Sequence, residues 1–218
     1  MDYPAHATYA VLYARYLRPE RTRHLLGLAG DVRGKTLYDL CGGGGRLSAL
    51  ALQAGASVTL VDESAAMAGA QPLPGLQVRV ETVDHALRVL PPADVVVCQQ
   101  AVNYWLDCDS AWDLAGVVRP GGLFIFNTFN TKPERTPQVK TYAFAGRQYV
   151  EVSQLVCGDR SETVEHVQVC EGLAPHTTRF RWIAREQFRQ WLEPYFVCDE
   201  LVDGATSVWR CVRAAEKA

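Results

Sequence analysis

The sequence predicts a doubly wound α/β fold built on a mostly parallel sheet, and three observations carry that prediction. Between Thr36 and Asn127, short apolar, β-prone runs alternate with stretches of helical spacing. The first of these runs, Thr36–Cys41, passes straight into four glycines, Gly42–Gly45, before a helical pattern resumes. Beyond Asn130 the pattern changes to polar and apolar residues in alternation, as expected for antiparallel strands with one solvated face.

Taken in order, residues 1–28 read as a helical lead-in. Tyr3, Tyr9, Tyr13 and Tyr16 fall near helical intervals with Arg15, Arg18, Arg21 and Arg23 between them, and Pro19-Glu20 opens a second helix. The segment either packs on the sheet or serves as a lid whose tyrosines, Tyr13 among them, help to line a substrate pocket. Strand Thr36–Cys41 and helix Arg46–Gly55 follow, then a strand Ser57–Val61 ending in Asp62 and a short helix Ser64–Ala70. Leu76–Glu81 is a third strand, Asp84–Leu90 a turn or short helix, and Ala93–Cys98 a buried fourth strand. Helix Ser110–Val118 takes Asp109 as its N-cap, and Arg119–Gly122 turns the chain into a fifth strand, Leu123–Asn127. Thr131–Thr141, with Pro133 and Pro137, reads as a loop. Three strand-like runs, Phe144–Cys157, Thr163–Glu171 and His176–Ile183, then form a small antiparallel cap. Helix Arg185–Leu192 and strands Tyr195–Val202 and Thr206–Val212 close the sheet, with Asp203-Gly204 as a hairpin signal. The whole is expected to be one domain over 1–218, divided into a lid (1–30), a ligand-binding core (36–130), a cap (131–183) and a terminal helix and hairpin (184–218).

Composition excludes several classes. A formal net charge of −2 with no dense Lys/Arg run gives no electrostatic footprint for nucleic acid or an anionic membrane. No apolar run approaches the roughly 20 residues of a membrane span, and the first residues lack the basic-then-apolar order of a secretory signal. The seven cysteines are scattered, without a CxxC pair, so neither a disulfide framework nor a metal site is expected, and a cytoplasmic location fits best.

The chemistry gathers at the strand ends. Glycines at 42–45 accept unusual backbone angles and let a ligand approach the main chain. Asp39 is an acid inside the strand before them, where a carboxylate needs a partner. Asp62, at the carboxyl end of the second strand, can accept both hydroxyls of a ribose. These residues leave two readings, a nicotinamide dinucleotide site or an S-adenosylmethionine site.

Taken together, residues 36–130 resemble the class I S-adenosylmethionine-dependent methyltransferases. The family's Asp-x-Gly-x-Gly-x-Gly motif reads Asp39-Leu-Cys-Gly-Gly-Gly-Gly45 here, with Cys41 where the first glycine is usual, a replacement compatible with a β conformation at that residue. The resemblance places the ribose acid at Asp62, the aspartate near the adenine at Asp84 and the Pro-Gly-Gly turn at Pro120–Gly122. It implies a Rossmann-like methyltransferase fold of seven strands that ends in an antiparallel hairpin. It further implies S-adenosyl-L-methionine as cofactor, bound by Asp39, Cys41, Gly42, Gly43, Asp62, Glu63, Met67, Asp84, His85 (through its backbone) and Gln99. CQQAVNYWLD (98–107) and LFIFNTFN (123–130) resemble a subgroup acting on small molecules. On that likeness Asn103, Tyr104 and Asn127, with Tyr13, bind a small-molecule acceptor, and Tyr104 and His166 are the catalytic candidates. Each has a plainer alternative: Tyr104 as a core aromatic starting a helix, Asn127 as a cap on the strand end, His166 as a half-exposed strand residue. The expected reaction is methyl transfer to nitrogen or oxygen. The alternatives are a nicotinamide-dependent oxidoreductase, for which no Tyr-x-x-x-Lys is found, and a non-catalytic nucleoside-binding scaffold.

Overall fold

A computed structural model describes residues 19–68, 73–130, 132–144, 146–157, 162–203 and 206–215. The predicted lid tyrosine Tyr13 lies outside the described residues. Helix α1 (Pro19–Gly27) is followed by β1 (Thr36–Leu40), α2 (Arg46–Gln53), β2 (Ser57–Asp62), α3 (Ala65–Ala68), β3 (Gln77–Val80), α4 (Val83–Val89), β4 (Ala93–Gln99), α5 (Val102–Trp105), α6 (Cys108–Val117) and β5 (Val118–Phe129). β1 pairs in parallel with β2 and β4, β2 with β3, and β4 with β5, which is the alternation the sequence predicts.

Local chemistry moves several boundaries. α2 stops at Gln53, two residues before the predicted end, because Gly55 turns left-handed at φ 88 and its N–H bonds back to the Leu52 carbonyl. α6 begins earlier than predicted. Its N-cap is Asp107, not Asp109: the Asp107 carboxylate accepts the Ser110 N–H at 2.9 Å, while Ser110 Oγ accepts the Asp107 N–H at 2.7 Å. The Arg119–Gly122 turn is a bulge inside β5, since Val118 pairs with Ala93 but Leu123 already pairs with Val95. Asp94, the residue skipped there, accepts the Thr36 N–H at 2.8 Å and pairs with Arg119 at 2.7 Å, which ties the starts of three strands together.

Residues 131–183 belong to a second compact unit. Its described part is a four-stranded antiparallel meander: β6 (Gln138–Phe144), β7 (Arg147–Cys157), β8 (Glu162–Cys170) and β9 (His176–Arg181). Four strands replace the three expected. Phe144–Cys157 is not one run, because Gly146, at φ 75, turns the chain, and Phe144 pairs with Arg147 across that turn. The polar stretch taken as loop supplies β6 from Gln138 onward. On one face, the buried Glu151 accepts a hydrogen bond from Tyr142 Oη at 2.5 Å, and the Tyr142 and Tyr149 rings stack at 5.3 Å.

The other unit takes up the chain again with α7 (Arg185–Leu192), β10 (Phe196–Asp203) and β11 (Thr206–Arg213). Its sheet has seven strands in the order β3-β2-β1-β4-β5-β11-β10, with β11 antiparallel to β5 and β10 antiparallel to β11. One core packs Leu25, Leu47 and Ala51 from α1 and α2 against Leu37, Val58, Val95, Val97 and Ile125. A second is aromatic. Phe126 stacks on Trp209 at 5.7 Å and meets Phe188 of α7 at 5.4 Å, and all three are fully buried. Each such side chain contributes about 1.5–3 kcal/mol by leaving water. The terminal hairpin also corrects the cysteine reading. Cys198 and Cys211 sit opposite each other in the β10–β11 register and are disulfide-bonded, a pairing that spacing alone cannot show. No helix among the described residues is long and apolar enough to cross a membrane.

Candidate functional site

Because β1, β2 and β4 run parallel, the turns that leave them emerge at one edge of the sheet. The first turn opens at Cys41, and here the structure corrects the sequence. β1 ends at Leu40, and Cys41 is left-handed (φ 53) instead of extended, as are Gly43 (φ 51) and Gly45 (φ 74). For a residue with a side chain that geometry costs about 1–2 kcal/mol. The neighbouring thiol of Cys98, on the adjacent strand, and burial together push the Cys41 pKa well above the usual thiol value.

Asp39 is almost wholly buried, and its partner lies across the turn: Oδ2 accepts both the Ser48 N–H at 3.1 Å and the Ser48 hydroxyl at 2.7 Å. The carboxylate thus fastens the first turn of α2 to β1 and sets the loop between them. Burial pushes Asp39 up to about 6, with the Asp62 charge adding to the shift and the Ser48 bonds opposing it. A raised acid makes the fold more stable while it is protonated, so this stability is present below the unfolded value near 3.8 and is lost as pH rises through about 6. Asp39→Asn keeps an oxygen for Ser48 and removes the buried charge. Its unfolding free energy relative to wild type is therefore expected to rise by up to roughly 3 kcal/mol between pH 4 and 7, read by denaturant titration across that range. A difference that stays flat with pH would refute the assignment.

Asp62 ends β2 and bridges two turns. Oδ2 accepts the Gly43 N–H at 2.8 Å, and Oδ1 accepts the Ser64 N–H at 2.9 Å. Burial raises its pKa, the two backbone bonds oppose that, and the exposed neighbour Glu63 raises it further. Met67 is buried in α3, its N–H held by the Ser64 carbonyl at 3.0 Å. β3 stops at Val80, so Asp84 lies in the first turn of α4, exposed, not at the strand tip. The His85 backbone N–H, expected at the adenine edge, is committed to the N-cap oxygen of Thr82 at 3.3 Å, and its imidazole pairs with Glu81.

At the end of β4, Gln99 exchanges a side-chain hydrogen bond with Thr22 of α1 at 3.2 Å. Gln100 follows in a left-handed conformation (φ 60), and its N–H is accepted by Asn127 Oδ1 at 3.0 Å. Asn103, buried in α5, accepts the Thr128 hydroxyl at 2.6 Å, and Tyr104 next to it is half-buried. Asp39, Cys41, Gly42, Gly43, Asp62, Gln99, Asn103, Tyr104 and Asn127 therefore all lie on the turns at the carboxyl edge or on the strand and helix ends beside them. His166 lies in the other unit, on β8 opposite Ser153 and Thr178. Burial and the charge of Lys140 lower its pKa, while Glu151 raises it. Sequence reasoning missed Ser48, Ser64, Thr22, Gln100 and Thr128. Of these only Ser64 carries a local signal, the Asp-x-Ser pattern of an Asx-turn.

Comparison with known proteins bears on the same region. Residues 38–126 match a family model described as a methyltransferase domain. The ubiquinone biosynthesis O-methyltransferase of Bordetella avium is 32% identical over 142 residues, covering 62% of this chain and 57% of that protein. The enzyme of the same name from Alkalilimnicola ehrlichii is 30% identical over 142 residues, covering 62% and 56%. The chain thus spans little more than half the length of these relatives. Among solved structures, the fold matches an S-adenosylmethionine-bound amino pentose methyltransferase from Micromonospora echinaspora at TM-score 0.73 and 14% identity, over 94% of this chain and 96% of that one. A sugar N-methyltransferase from a Streptoalloteichus species matches at TM-score 0.70 and 15% identity, over 96% and 94%. At these identities the likeness is one of fold.

Proposed function

We propose that this chain, whose residues 38–126 match a methyltransferase domain, is a class I S-adenosylmethionine-dependent methyltransferase that transfers a methyl group to a nitrogen or oxygen of a small molecule. The observation that carries the reading is Asp62. Each of its carboxylate oxygens accepts one backbone N–H, and a carboxylate has about four acceptor positions. One position on each oxygen therefore remains for a pair of neighbouring hydroxyls, as a ribose presents them. The same two bonds fix the turns on either side, so the hydroxyl site and the glycine turn form one rigid object.

S-adenosylmethionine, when bound, supplies a methyl group already activated on a sulfonium. What remains for the protein is to bind, orient and exclude water. Asp39, acting through Ser48, sets the turn Cys41–Gly43 that receives the amino-acid end of the cofactor. Asp62 takes the ribose, with Glu63 beside it, and Met67 and Asp84 flank the base. Tyr104 and Asn103 present the acceptor side. Burial favours the neutral imidazole of His166, the form that can take a proton. The sugar and ubiquinone methyltransferases among the similar proteins support a small acceptor carrying an amine or hydroxyl.

Calorimetry with S-adenosylhomocysteine tests the reading. Micromolar binding is expected. Binding of NAD with none of S-adenosylhomocysteine would sink the reading in favour of an oxidoreductase.

A further inference from the structure

Among the described residues only two that are not glycine adopt positive φ, Cys41 and Gln100. They are not scattered. Leu40 pairs with Cys98 in the β1–β4 register, so Cys41 and the Gln99-Gln100 tip leave adjacent central strands side by side, at the edge that carries Asp62. A left-handed residue with a side chain persists only where its surroundings hold it, and such residues gather where a backbone must meet a ligand. What holds Gln100 is visible. Its N–H is accepted at 3.0 Å by Oδ1 of Asn127, a residue 3% exposed in β5. Asn127 is itself fixed by the ladder on both sides, opposite Gln99 on β4 and Val208 on β11. A neighbouring bond of the same kind, Thr128 Oγ1 to Asn103 Oδ1, pins the helix that follows the turn.

We infer that Asn127 is a positioning residue: its amide oxygen holds the Gln100 backbone left-handed, and the turn so shaped, not the Asn127 side chain, is the part of β4 that meets the cofactor. The inference rests on the S-adenosylmethionine reading and deepens it by assigning a residue outside the glycine motif to cofactor positioning. It also separates two explanations for the same asparagine. A ligand-binding amide is lost with Asn127 whatever residue stands at 100. An amide that supports a strained turn matters only while that turn is strained, and glycine at a left-handed position carries no such strain.

The test is a double-substitution cycle read by S-adenosylhomocysteine affinity in calorimetry, with thermal unfolding of every variant alongside. Asn127→Ala is expected to weaken binding about ten-fold in the wild-type background, the size of one lost positioning hydrogen bond. With Gln100→Gly already present, the same Asn127→Ala change is expected to cost less than about threefold. Equal losses in the two backgrounds, or no loss in either, would overturn the inference. Gln100→Val reaches the same question without touching the buried asparagine. A β-branched residue is strongly disfavoured at positive φ, so this variant is expected to lose affinity while its melting temperature reports a folded protein. Wild-type affinity in Gln100→Val would also overturn the inference. Failure of the wild type itself to bind S-adenosylhomocysteine would instead refute the functional reading, an outcome distinct from either.

Discussion

Asp62→Ala is expected to weaken S-adenosylhomocysteine binding at least about 100-fold while the protein stays folded. The size follows from what the carboxylate does. It accepts the Gly43 and Ser64 N–H groups at 2.8 and 2.9 Å, and hydrogen bonds to a charged acceptor are each worth about 1.5–3 kcal/mol. Alanine removes both of these bonds together with the acceptors proposed for the ribose. A loss of about 3 kcal/mol in binding is roughly the 100-fold stated. The fold survives because Asp62 is partly exposed and is the last residue of β2. Asp62→Asn sharpens the test. A carboxamide has one acceptor oxygen, so it can satisfy either Gly43 or Ser64 but not both, and its affinity is expected between those of alanine and wild type. Calorimetry and thermal unfolding read the two effects separately. An Asp62→Ala protein that binds within about threefold of wild type would remove this residue from the site.

How much of this could be read from the chain alone divides along a physical line. Alternation of apolar runs is a property of each segment, so the order of strands and helices was legible, including the antiparallel hairpin at the end. Asp39 and Asp62 stood out because a charged residue inside or at the end of a buried strand is rare enough to need a reason. Partners were a different matter. Nothing local tells Asp39 that Ser48 will meet it across a glycine turn, or Gln100 that Asn127 will accept its N–H from 27 residues away. The left-handed Cys41 was hidden by its own identity, because a cysteine beside apolar residues reads as strand. Gln138–Phe144 was lost to its polar side chains, although what makes it a strand is the ladder it forms with β7. The Cys198–Cys211 bond belongs to the same class. It depends on the register of a hairpin, and register is set by pairing across strands, not by spacing along one.

Gly42→Ala is expected to damage both stability and cofactor binding, and the reason is space, not backbone freedom. A Cβ built at Gly42 falls 2.8 Å from Leu60 Cγ and 2.9 Å from both Cγ and Oδ2 of Asp39. Leu60 is buried in β2 and Asp39 in β1, so neither is a flexible tip that can swing aside. Making room means moving the Asp39 carboxylate, and with it go the two bonds to Ser48 that hold α2 against the turn. Overpacking of this kind costs about 1–3 kcal/mol, and the displaced buried carboxylate adds to it. The loss is expected as a lower midpoint in denaturant titration, with S-adenosylhomocysteine binding abolished. Gly116→Ala is the matching control. Gly116 is exposed in the last turn of α6, and a Cβ there meets nothing within 4 Å. Replacing a helical glycine by alanine stabilises by up to about 1 kcal/mol, so the same substitution is expected to have the opposite sign at the two positions. If Gly42→Ala instead bound S-adenosylhomocysteine like wild type with an unchanged midpoint, the packing of Leu60 and Asp39 around the turn could not be what shapes the site.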